Sequence, residues 1–423
     1  MDRKKTFLLT VLLLSSLTLQ GSIAELRRKA KSGNIAAGRK LAMEYFHGRN
    51  IKRNYVLAGF WFKKAGDARD AEAKYNLALL YEKGYGVRQS HFKAYCLYKE
   101  AAKELFKAKF VVAGYLSSGI KKSLNKPSDD EALMPDIDQA KKIYRELIKN
   151  HNHIPAKREL ALLLLDHKNT EKKSNIKAVT LLRQAATAND SKAMRLLADC
   201  YLNGTGTAQS YEKMIFWLKK AAQNNNIEAI AKLGYCYLYG HGTSMDRAKA
   251  FRLLKYAAEN NLPMAMTRMG DFYLAGEFVK EDAKTAIKWY RKAAEKNNPA
   301  AMFKLGNFHD KGIYLQKSAT AAARLYHKAA LLGHSESQYR LAEMLITGNE
   351  IPPNPDHACF WFKCAAEQNH PAAQRQFAIC LLKGLGTVKN SKEALKWFRT
   401  AAKNGDRESI ILLQRYNEAT DQR

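Results

Sequence analysis

The chain has 423 residues, with 71 Lys and Arg against 40 Asp and Glu, a formal net charge of +31 at pH 7. Its 46% hydrophobic and 26% charged residues, with 9 Pro and 24 Gly, are globular usage, which excludes a disordered polybasic chain and a collagen-like one. At about 150 residues per domain the length alone suggests two or three domains, and the charge alone suggests a nucleic-acid partner.

The first two dozen residues read differently from the rest. Basic Arg3, Lys4 and Lys5 precede an apolar run from Phe7 to Leu19, and Ser22-Ile23-Ala24 supplies a small-x-small site. The run is too short for a multi-span membrane protein. Residues 1–24 are expected to be a secretory signal peptide cleaved after Ala24, with a retained anchor as the alternative. No stable membrane span is then expected in the mature chain, and export moves it away from nucleic acid, so that partner is not expected.

Everything after this segment is periodic. Ala pairs stand at Ala185-Ala186, Ala221-Ala222, Ala257-Ala258, Ala293-Ala294, Ala329-Ala330, Ala365-Ala366 and Ala401-Ala402, each 36 residues after the last. Ala101-Ala102 and Ala65-Gly66 keep the step upstream, and Leu147-Ile148 marks a further unit with an insertion near 121–135. The reading is ten units, with half-unit caps at 25–33 and 406–423.

Counted back from the first residue of the pair, each unit contains two helices. The leading helix carries small residues such as Ala73, Ala193 and Ala229 at 28 before, then Leu77-Ala78, Leu233-Gly234 or Met269-Gly270 at 24 before. Tyr45, Tyr81, Tyr201, Tyr237 and Tyr273 follow at 20 before, which completes one helical face. Pro155, Pro263, Pro299 and Pro371 suit its first turn. A Gly at 17 before, from Gly48 to Gly384, ends it in the left-handed conformation. At 11 before, Asn54, Ser90, Asp136, Ser174, Ser210, Asp246, Asp282, Ser318, Asn354 and Asn390 are N-cap residues for the trailing helix. Ala at seven before, in every unit but that of Met214, and apolar residues at four and three before form its inner face. All five Trp (Trp61, Trp217, Trp289, Trp361 and Trp397) fall at four before and are expected to pack between helices. One such pair cannot bury its face alone, but stacked pairs can. The Gly turn is altered or lost around Gly119 and Lys168, where the stack is expected to bend or loosen.

The run Leu233-Gly-Tyr-Cys-Tyr237-Leu-Tyr-Gly240-His-Gly242, with Trp289-Tyr-Arg-Lys-Ala-Ala294, resembles the Sel-one-like repeat (SLR) family, a relative of the tetratricopeptide repeats. The resemblance spans nearly all of residues 25–423 and implies an all-α, right-handed superhelical solenoid of 36-residue helix–turn–helix repeats. Exported bacterial members are generally adaptors. That implies a periplasmic or secreted protein–protein interaction scaffold, engaged in cell-wall maintenance or host-cell interaction, with its partner in the concave groove.

No catalytic, cofactor or metal residue is nominated, and no cofactor is expected. The Gly-x-Gly pairs at Gly84/Gly86, Gly204/Gly206, Gly240/Gly242 and Gly384/Gly386 have no strand before them and read as turns, not phosphate loops. His151-x-His153 lacks a third ligand at metal spacing. Cys200, Cys236 and Cys380 share one position. Some cysteine-rich relatives pair that position with a Cys where this chain has Ala222, Ala258 and Ala402. Equivalent positions of adjacent repeats lie about 8–10 Å apart, beyond the roughly 7 Å a disulfide spans, so the six Cys read as free thiols.

The charge has a pattern. Two before the pair stand Lys63, Lys99, Arg145, Arg183, Lys219, Lys255, Arg291, Lys363 and Arg399, with His327 in the remaining unit. These cations complement the end of a helix dipole, and in a solenoid they would also line up as one basic interaction stripe. The first functional expectation is therefore a non-enzymatic adaptor. The alternative is a binder of polyanions such as cell-wall polymer, lipopolysaccharide or an acidic host glycan. A cell-wall or β-lactam hydrolase is the least supported.

Overall fold

The computed structural model describes residues 22–120, 131–165, 172–348 and 351–421. The candidate signal peptide falls outside them except for its last three residues. Lys168 and most of the insertion near 121–135 also fall outside. The candidate cleavage position lies within a helix over 22–31, in which Ile23 is buried.

The described residues form α-helices of similar length, most of them of 13 residues, as in Ala71–Lys83, Ile227–Tyr239 and Ser391–Lys403. The chain divides into two compact units, 1–210 and 211–423. In the first unit, consecutive helices from Ile35–His47 to Ser191–Asn203 pack on one another. In the second, those from Tyr211–Gln223 to Arg407–Asp421 do the same. Each unit is thus a stack of helix pairs.

The caps explain the uniformity. Every Gly at 17 before the pair, from Gly48 to Gly384, ends its leading helix at a φ between 66° and 74°. Asn54, Ser90, Asp136, Asp246, Asp282, Ser318, Asn354 and Asn390 each accept a hydrogen bond from the backbone N–H three residues on. Ser174 departs from the pattern. It lies inside the helix Lys172–Thr187, which begins two residues earlier. Just after Gly119, Ile120 and Leu133 exchange both backbone hydrogen bonds, at 2.8 and 3.1 Å, and so close the base of the insertion.

The core runs along each stack. At three before the pair, Phe62, Tyr98, Tyr144, Leu182, Leu218, Leu254, Tyr290, Tyr326 and Phe362 are at most 1% exposed. The Trp position beside it lies at the margin. Trp61 and Trp361 are buried, whereas Trp217, Trp289 and Trp397 are half-buried. A helical face about 100° wide has an edge, and the bulkiest ring occupies it.

Candidate functional site

All nine residues of the expected basic stripe are exposed. Each sits in the final turns of a trailing helix, where a cation offsets the partial negative charge of unsatisfied carbonyls. Three face a carboxylate four residues on: Lys63–Asp67 at 3.1 Å, and Lys255–Glu259 and Lys363–Glu367 at 4.0 Å. Arg183 donates to the Tyr201 hydroxyl at 3.3 Å, and Lys99 lies 6.0 Å from the Tyr95 ring. Such exposed pairs contribute only a few tenths of a kcal/mol, about 0.2–1 each, so they hold these heads weakly. The next residue adds a second cation in several repeats. Lys64, Lys220 and Lys292 lie over Trp61, Trp217 and Trp289 at 5.3, 5.6 and 4.9 Å. The Trp rings therefore anchor lysine stems at the edge of this face. The first unit carries Lys63, Lys99, Arg145 and Arg183, and the second carries Lys219, Lys255, Arg291, Lys363 and Arg399.

The leading helices carry a second polar system, which sequence reasoning missed. A residue of one leading helix reaches the N-cap of the next leading helix, usually 31 residues on. Arg39 bonds Asp70 at 3.2 Å, Arg158 bonds Asp190, Thr267 bonds Asn298 at 3.1 Å, and Arg375 bonds Asp406 at 3.1 Å. Where the cap is histidine, the partner is a ring. Phe303 lies 5.2 Å from His334, and Tyr339 stacks on His370 at 4.8 Å. In these repeats the chemistry of the two positions matches. The signal was the 31-residue separation of Arg and Asp, legible only once the leading-helix caps are known. Burial, the largest influence, pushes the Asp406 carboxyl up, but hydrogen bonds from Ser409 and Arg375 outweigh it and leave it below its ordinary value.

Three leading helices are capped by histidine. Nδ1 of His153, His334 and His370 accepts from the N–H of Ala156, Ser337 and Ala373 at 3.2, 3.2 and 3.1 Å, which a protonated ring cannot do. Burial holds His153 and His334 below the ordinary imidazole range. The unfolded chain therefore binds protons first. Their contribution is present above about pH 6.5 and is lost as pH falls through the lowered folded values. We expect the thermal midpoint to drop between pH 7 and pH 5. His334→Asn, which caps without titrating, should shrink that drop; an unchanged pH profile in this variant would rule the cap out as a cause.

The other candidates resolve into architecture. The eight glycines of the Gly-x-Gly pairs all have positive φ. His151 stacks on Phe106 at 5.0 Å and His153 caps a helix. Among the described residues no group of three or more His, Cys, Asp or Glu could hold a metal ion. All six cysteines carry free thiols, four of them buried. Tyr98, Tyr290 and Tyr326 send buried hydroxyls to Glu82, Asp271 and Asn307 at 3.0, 2.8 and 2.6 Å. Burial, reinforced by Asp271, pushes Tyr290 well above the usual phenol range, so it serves as a donor and not as an acid. A cavity of about 660 Å³ at the last two repeats is lined by both signs of charge, from Glu367, Lys392, Glu393 and Lys396, beside Trp397.

The Sel1 repeat profile matches residues 36–70, 71–104, 155–190, 191–226, 227–262, 263–298, 299–334, 335–370 and 371–406. The stretch it passes over, 105–154, still contains a helix pair, Phe106–Ser118 and Ile137–His151. Among solved structures, the chain is similar to a Sel1 repeat protein from Oxalobacter formigenes, at 28% identity and a TM-score of 0.53. That match covers 59% of this chain and 99% of the other. It is also similar to a protective antigen of uropathogenic Escherichia coli strains with an SLR fold, at 23% identity and a TM-score of 0.52, covering 95% of this chain and 84% of the other. No curated protein matches the chain. Sel1 repeats serve as protein-interaction scaffolds. With its helix pairs, caps and cores repeated over most of its length, the chain belongs to the Sel1 repeat family.

Proposed function

We propose that this protein is a non-enzymatic adaptor, exported to the periplasm or secreted, that presents its stacked helices to a protein partner. The observation that carries this reading is the repeat scaffold itself, in which most buried polar side-chain atoms serve in caps and cross-repeat hydrogen bonds, with Arg268 Nε, Arg340 Nε and Ser409 Oγ the exceptions among the described residues. Export rests on the basic and apolar start with cleavage after Ala24. No described helix is long and apolar enough to cross a membrane. A role in cell-wall maintenance or host-cell contact is the finer form of the same reading. In-cell crosslinking followed by mass spectrometry tests it. Reproducible crosslinks from leading-helix residues to one protein of the envelope or host are expected, and crosslinks to cytosolic proteins alone would overturn it.

The exposed basic row favours a second reading, a binder of acidic polymer. Such binding is driven by counterion release and weakens steeply with salt. Reversing Lys219, Lys255 and Arg291 together to Glu should move elution from a heparin column to markedly lower salt, with the helical content of the protein unchanged. Retention at the same salt would remove the stripe from consideration.

A further inference from the structure

Cross-repeat packing brings two positions together in several repeats. The residue six before the pair, on a trailing helix, faces the residue 21 before the next pair, on the following leading helix. In the first two repeats, a Cβ on Gly59 would lie 3.5 Å from the Leu80 side chain and 3.7 Å from Val87. Further along, Phe251 and Phe272 hold the same two positions, with ring centroids 5.6 Å apart. In the ninth and tenth repeats these positions are Cys359, on the helix Pro355–Glu367, and Cys380, on the helix Pro371–Lys383. Both are buried in one core cluster, 4% and 2% exposed. Their thiols are hydrogen-bonded to each other, and Thr387, the counterpart of Val87, bonds Cys359.

The remaining cysteines have no such partner. Cys200 and Cys236 sit at the second of these positions, but Val179 and Ile215 occupy the first. Cys96 and Cys364 lie elsewhere on trailing helices, half-buried. We propose that Cys359 and Cys380 form a disulfide under oxidising conditions, joining the ninth repeat to the tenth, and that the other four cysteines remain thiols. The hydrogen bond from Cys380 lowers the Cys359 thiol against the upward push of burial, while that bond and burial raise Cys380. Either thiol can be the first nucleophile once its proton is lost. With Cys359 first, its thiolate attacks a small-molecule disulfide such as oxidised glutathione, one glutathione thiolate leaves, and a mixed disulfide forms. Cys380 loses its proton and attacks the Cys359 sulfur, and the second glutathione leaves. Two thiol protons and two electrons pass from the protein to the glutathione disulfide, which becomes two thiols.

The test refolds the full chain in mixed reduced and oxidised glutathione, alkylates it under denaturing conditions and maps its peptides by mass. The expected result is a peptide pair joined through Cys359 and Cys380, with Cys96, Cys200, Cys236 and Cys364 alkylated, and a thermal midpoint that falls on reduction. Six alkylated cysteines, or linkage through any of the other four, would overturn the proposal. Cys359→Ala supplies a second readout. It should leave all five remaining cysteines alkylated, and a new intramolecular link from Cys380 would show that the pairing is not set by this contact.

Discussion

Gly386→Ala should detach the turn of the tenth repeat from the ninth and cost about 3 kcal/mol or more, near the upper end for a single substitution. Two effects add. Gly386 has a φ of 64°, where a Cβ costs roughly 1–2 kcal/mol. A Cβ there would also stand 2.1 Å from the Pro355 carbonyl oxygen and 2.7 Å from the Asp356 nitrogen, in the first turn of the preceding trailing helix. Those atoms are backbone and cannot turn away. Gly206 and Gly86 meet the same wall, at 2.3 Å from the Asn175 oxygen and 2.5 Å from the Tyr55 carbonyl carbon. Gly405 is the control. Its φ is 92°, but nothing lies within 4 Å of its Cβ, so Gly405→Ala should cost only the conformational share. Chemical denaturation would compare them, with hydrogen exchange over 371–403 as a local readout, because repeat arrays open in parts. Equal stability of the two variants would sink the close-approach argument.

Gly270→Ala should destabilise by about 1–3 kcal/mol through overpacking, and Tyr290→Leu should restore much of that loss instead of adding to it. A Cβ on Gly270 would lie 2.5 Å from the Tyr290 ring, a sub-contact distance. The ring is held in place, because its hydroxyl donates to Asp271 at 2.8 Å and Asp271 in turn receives Lys304 at 3.0 Å. Tyr290→Leu by itself opens a cavity and removes that bond, so it is also destabilising. Together the two changes remove ring atoms from the space that the added methyl enters, so the loss from each is offset by the other. A double-mutant cycle measured by urea denaturation should give a coupling above about 1 kcal/mol in the favourable direction. Additive losses would mean that the two positions do not share one space. Gly306 and Tyr326 repeat the arrangement at 2.6 Å.

Most of the fold was legible because its determinants are local. An Asn, Ser or Asp before a helical face and a Gly after one act within a single turn, and a 36-residue period multiplies the signal. The weaknesses were local too. In the fourth unit the helix starts ahead of Ser174, and for the Trp residues periodicity cannot tell the centre of an apolar face from its edge.

The candidate site was legible in part. The nine basic residues were placed by register, and their exposure follows from standing opposite the buried positions of their helices. The second glycine of each Gly-x-Gly had no distinct role until the turn was seen against the preceding helix. Phe278 and Tyr314 occupy the same turn position with φ of 67° and 65°, so a positive φ alone does not demand glycine there; the available room does.

The length of 423 residues and the charge of +31 settle little by themselves. The sequence determined the period, the helix pairs and their caps, because each depends on residues within one or two turns. Only the tertiary structure decided which residues meet across repeats: Arg375 with Asp406, Gly386 with Pro355, Cys359 with Cys380. Those separations, of 31 and 21 residues, correspond to no helical period. They are set by how far one helix pair is turned and shifted on the next, and that geometry belongs to the stack and not to any segment within it.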